Sequence, residues 1–199
     1  NLKAVNGGIG KNGSIVNDNT VTITGGTFAA GRIVGGETGA TGKATGNRVV
    51  LGEKDGTFDS HTDLTNSTLW GSRYVGSGNG VIASGDARIT GTALEVNTQD
   101  VKVKRTRNFQ TYQFNLNKNL ANNATMLTVT EGFGAGANVQ WNDIQLDVSG
   151  WQDGEHDLNS KYYGKNDLTL LKTLDGTRRL DIANVTSSPP RTGVSGDFE

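Results

Sequence analysis

The feature that most constrains this chain is a strand that keeps returning. Asn19-Thr-Val-Thr-Ile23 reappears as Asn47-Arg-Val-Val-Leu51 and, more loosely, as Thr92-Ala-Leu-Glu-Val96. A second strand follows each of the first two, Gly31-Arg-Ile-Val-Gly-Gly36 and Ser67-Thr-Leu-Trp-Gly-Ser72. A Gly-rich return loop comes next, residues 39–46 in one copy and 76–86 in the other. The unit is strand, turn, strand, Gly-rich loop, strand, repeated after about 28 and then about 45 residues. The longer copy carries an insertion around Glu53–Asp63.

A unit of two or three short strands cannot bury its apolar face alone, so it must stack on its neighbours. Composition agrees: only 33% of residues are hydrophobic, and Gly is 29 of 199, about twice its ordinary share of ~7%. Such a chain lacks material for one large core but suits a thin core of many layers. Stacking places Val21, Val49 and Leu94 in one inward row and Ile23, Leu51 and Val96 in the next. The expected fold is all-β, a parallel β-helix (solenoid) over residues 1–106. A β-sandwich of antiparallel hairpins shares the same strand and turn statistics. The repeated Asn-x-Val-x-Ile/Leu start favours the solenoid.

Helix signals are nearly missing. The best candidate for a helical turn is Asn117–Asn123, which carries four Asn, a poor helix former. Asp55-Gly56, Asn79-Gly80, Asp153-Gly154 and Asp175-Gly176 read as turns. Past Val101 the Gly density falls, a basic cluster runs from Lys102 to Arg107, and Phe109, Tyr112 and Phe114 follow. Residues 107–185 are therefore expected to form an irregular β C-terminal cap of the same domain, covering open strand edges. Residues 186–199 read as a linker or tail.

Nineteen basic and 20 acidic residues give a net charge of −1, which removes a strong electrostatic case for nucleic acid or an anionic membrane. Without cysteine there are no disulfides, thiolate metal sites or cysteine nucleophiles. No signal-peptide core or apolar run of ~18 residues is present, and direct membrane insertion of this segment is not expected. The chain opens at Asn1 in mid-pattern, so it is expected to be cut from a longer precursor.

Tests for chemistry return little. A Ser-His-Asp triad needs convergent partners, and the two histidines, His61 and His156, sit in polar Asp-rich loops. Asp153, Glu155 and Asp157 alternate as on one strand face, as a polysaccharide lyase would require, but they also read as a solvated turn after Trp151. The Gly-Gly-x-Gly-x-Asp calcium repeat is not matched. No catalytic residue, metal ligand or cofactor is expected. The residues assigned as candidate ligand contacts are Trp70, Tyr74, Trp151, Lys102, Lys104 and Arg105: aromatics that stack on sugars and cations that meet anionic glycans. Core packing of the tryptophans, and a charged edge that blocks stray strand pairing, are the competing readings.

Asn19-Thr-Val-Thr-Ile-Thr-Gly-Gly-Thr27, Ile33-Val-Gly-Gly36 and Gly42-Lys-Ala-Thr-Gly-Asn-Arg-Val-Val50 together resemble the repeat of large bacterial autotransporter (type V secreted) passengers. Tyr74-Val-Gly-Ser-Gly-Asn-Gly80 with Ala83-Ser-Gly-Asp-Ala87 looks like a degraded second copy. Asn108–Leu116, Ala124–Thr130 and Asn166–Lys172 are similar to segments C-terminal to the repeats in those passengers, so the resemblance covers about residues 15–175. It implies a pectin-lyase-like right-handed β-helix at the bacterial cell surface, acting as an adhesin or scaffold. The implied partners are a host surface protein or glycan, or the same protein on a neighbouring cell. A β-helical polysaccharide-degrading enzyme and a passive stalk without ligand are the alternatives.

Overall fold

The computed structural model describes residues 3–28, 31–76, 78, 80–82, 86–117, 119–121, 123–131, 145–149, 168–174, 179–181 and 194–196; for 145–149, 179–181 and 194–196 it describes the backbone alone. The described chain is almost entirely strand and turn. In order these are β1 (Ala4–Ile9), β2 (Thr20–Ile23), β3 (Arg32–Gly39), β4 (Arg48–Leu51), β5 (Thr68–Val75), β6 (Ala93–Val96) and β7 (Val101–Val103). There follow β8 (Arg105–Arg107), β9 (Thr111–Asn115), β10 (Thr125–Val129), β11 (Gln145–Ser149), β12 (Thr169–Thr173), β13 (Arg179–Asp181) and β14 (Val194–Gly196). Among the described residues the one helical element is a 3-10 turn at Ala87–Ile89. Asn117–Asn123 is not helical in its described residues: Asn117 Oδ1 accepts the Asn119 amide and Asn123 has φ +58°. Asn side chains bond nearby backbone and so compete with the helix ladder.

Three sheets collect these strands. The first is β1-β3-β5-β8, the second is β2-β4-β6-β9-β11-β14, and the third is β7-β10-β12-β13. Pairing is parallel except where β13 meets β12 and β14 meets β11. Successive strands alternate between the first and second sheets up to β6, and β7 then opens the third. Parallel neighbours exclude a sandwich of hairpins, which requires antiparallel ones.

The register agrees with the repeat. Val21, Val49 and Leu94 are successive partners in the second sheet, as are Ile23, Leu51 and Val96. Ile33 pairs with Leu69 and Val34 with Trp70 in the first sheet. Alternation sends Val21, Ile23, Tyr112 and Phe114 into one core with Leu51, Leu69, Leu94 and Leu127. Val16, Ala44, Tyr74, Ile82 and Ile89 form a smaller second core.

The second sheet crosses residue 107 without interruption, because Tyr112 and Phe114 stack directly on Leu94 and Val96. Around the same point the first sheet reaches its last described strand, β8, and the third sheet has opened with β7. In the tail, Val194–Gly196 pairs antiparallel with β11.

Candidate functional site

A basic surface lies where β7 of the third sheet turns into β8 of the first. Val101, Val103 and Thr106 point into the protein and are buried; Thr106 Oγ1 meets the core Tyr112 hydroxyl at 2.7 Å. Period two then puts Lys102, Arg105 and Arg107 outside, with Lys104 at the corner between the strands.

Stacking extends this basic segment across the sheets. Lys102 pairs through Thr128 with Lys172, two strand spacings or ~9.5 Å away. Arg105 lies in register with Thr68 and Arg32, and Arg107 with Trp70 and Val34. Glu131 closes on the corner, bonded to Lys104 Nζ at 3.0 Å and to Arg105. The Lys104 hydrogen bond, with the charges of both cations, holds the Glu131 carboxyl below its ordinary range. Glu37 does the same duty further along, 2.7 Å from Arg73 and 3.8 Å from Arg32.

Arg107 is held differently. Its guanidinium lies 5.2 Å from the centre of the Trp70 ring, and its Nε is buried without a hydrogen-bond partner. Burial, together with the Arg105 charge, lowers its pKa from the usual arginine value.

Of the six expected ligand contacts, Lys102, Lys104 and Arg105 lie on this surface. Trp70 and Tyr74 are buried, where the expectation had them at the surface. Trp70 is 7% exposed, lying between Arg107 and Gly80, where a Cβ would come within 3.7 Å of its ring. Tyr74 is 1% exposed in the second core; its hydroxyl accepts the Ala44 amide and donates to the Arg88 carbonyl. Trp151 lies outside the described residues, as do Trp141, His156, Asp153, Glu155 and Asp157. Sequence reasoning does not find Arg107, Glu131 and Lys172 as a group. The Leu-Leu-Lys pattern at 170–172 hints that Lys172 faces outward, but only the register brings it beside Lys102.

The insertion at Glu53–Asp63 forms a second exposed feature. Asp55, Asp59 and Asp63 each accept the amide two residues on, from Thr57, His61 and Thr65. These bonds order the loop and lower the pKa of Asp59 and Asp63. Among the described residues, no group of three or more His, Asp or Glu is arranged to hold a metal ion, and no helix is long and apolar enough to cross a membrane.

No family model, curated protein or solved structure matches the chain.

Proposed function

We propose that this chain is a segment of a right-handed parallel β-helix, displayed at the bacterial surface or secreted as part of an autotransporter passenger. Its role is adhesion or scaffolding between cells. The helical reading is supported by strands that return to the same sheets in chain order and pair in parallel. The right hand follows from the strong preference of parallel crossovers for that sense. The adhesive role is carried by one observation: on an almost neutral chain, cations gather on one outer corner. Together with the ordered insertion loop, that corner provides a side surface for contact. Laterally placed loops and faces are where solenoids usually bind.

The test is a cell-binding and aggregation assay with the purified chain, run beside a glycan array. Binding to cells or glycans supports the role. A chain that binds neither is a stalk, and one that releases reducing ends from polyuronate with Ca²⁺ is a lyase; either result overturns it. A parent reading frame with neither a secretion signal nor a translocation domain would overturn the location.

A further inference from the structure

We propose that the β7–β8 corner binds an acidic polysaccharide, with Lys102, Lys172 and Arg107 meeting its carboxylate or sulfate groups and Glu131 acting as a built-in competitor. The proposal rests on the adhesive reading and names the class of ligand.

Three observations carry it. First, the cations spread over a surface, across the sheet and along the chain, rather than gathering at a point. Lys102 and Lys172 stand ~9.5 Å apart across the sheet, and Lys102 and Arg105 about as far apart along the chain. Charges so spaced fit a polymer that repeats its anion, better than a single small ion. Second, among the described residues Lys102 and Lys172 have no ion pair or hydrogen bond of their side chains, while Lys104 and Arg105 are occupied by Glu131. Third, Arg107 keeps a buried Nε without an acceptor and is steadied by Trp70 rather than by a carboxylate. A partly desolvated guanidinium next to Arg105 is under-neutralised, and an oxyanion is the group that its planar fork fits best.

A glycan is favoured over nucleic acid by the local carboxylates. Glu131 and Glu37 interrupt the basic surface, so it cannot follow the dense phosphate row of a duplex. A polysaccharide with wider anion spacing avoids both.

The full chain is measured against heparin, which carries sulfates and carboxylates, against polygalacturonate, which carries carboxylates alone, and against duplex DNA. Heparin binding is expected to weaken as salt rises. Lys102→Gln with Lys172→Gln is expected to weaken it by about fivefold or more. Lys102 is exposed and Lys172 half-buried, and neither side chain has a partner among the described residues, so the fold is expected to survive, as circular dichroism would verify. Arg107→Gln is expected to weaken it too, and Glu131→Gln to strengthen it by releasing Lys104 and Arg105. Lys11→Gln, an exposed lysine in the turn between β1 and β2, is the control and leaves binding unchanged. Loss with polygalacturonate but not heparin assigns the site to sulfate; binding of both assigns it to either oxyanion. The proposal is overturned if heparin and polygalacturonate both fail to bind, if the lysine pair or Glu131→Gln has no effect, or if DNA binds as tightly with the same variant response. A chain that binds cells but neither acidic glycan loses this site and keeps the adhesive role; one that binds neither cells nor any glycan loses both.

Discussion

At the residue scale, buried asparagines make connections that the hydrophobic core cannot. Asn108 sits at φ +55°, a conformation that Asn tolerates better than most residues. Its Nδ2 donates to the carbonyls of Ser72 at 2.6 Å and Gly80 at 2.8 Å, and its Oδ1 accepts the Ile82 amide at 3.0 Å. One side chain thus ties the Gly-rich return loop to β5 and to the β8–β9 connection. Asn108→Ala strands three buried backbone groups and keeps the strained φ, so it is expected to cost about 2–4 kcal/mol. Asn108→Gly relieves the strain alone and should fall between Ala and wild type in the denaturation midpoint. Buried tyrosines set the response to alkali. Tyr112 and Tyr74 both have pKa values raised by burial. A raised folded value means the protection is complete below the unfolded tyrosine pKa of ~10 and is lost as pH climbs towards the folded value. Stability measured by urea titration should therefore fall above about pH 10. Tyr112→Phe should flatten that fall while lowering stability at neutral pH, because Thr106 Oγ1 loses its partner.

At the element scale, the Val-Gly-Gly pattern has a spatial cause. Gly7, Gly35 and Gly71 follow register partners Asn6, Val34 and Trp70. A Cβ on Gly7 would sit 2.5 Å from the Gly35 carbonyl oxygen, one on Gly35 2.7 Å from that of Gly71, and one on Gly71 2.5 Å from that of Asn108. Backbones approach too closely for any side chain, and the same approach recurs in each layer. Gly71→Ala is expected to destabilise at the upper end of the ~1–3 kcal/mol typical of overpacking, because the obstacle is backbone. Gly13 has open space around its Cβ position but φ +77°, so Gly13→Ala should cost only the ~1–2 kcal/mol of a left-handed alanine. Thermal melts of the two variants separate close approach from backbone strain. The first copies of the repeat are legible in sequence because like residues pair with like, Val21 with Val49 and Ile23 with Leu51. The next layer is hidden, since Tyr112-Gln-Phe114 shares with Leu94-Glu-Val96 only its two buried apolar positions.

At the scale of the whole molecule, stability should run along the stack. Each strand pairs with the neighbours above and below it in its sheet and packs on nearby strands across the core, so protection is shared locally. Val21 and Ile23 keep 7% and 5% of their surface exposed, while their partners Val49 and Leu51 are fully buried. Ile9 and Ile15, at the same end, are each 70% exposed. Amide hydrogen exchange should therefore be slowest in β4, β6 and β9 and faster in β1 and β2; equal rates throughout would mean one indivisible unfolding unit. The all-β class, the positions of β2 to β6 and the register of the first layers follow from sequence, because alternation and repetition are properties of neighbouring residues and survive without coordinates. The continuity past residue 107, the burial of Trp70 and Tyr74 and the meeting of Lys102, Arg107, Glu131 and Lys172 do not. Those depend on which layers stack and which loop folds over which ring. Only the tertiary structure decides them, because the residues involved are far apart along the chain and no local pattern records the distance between them.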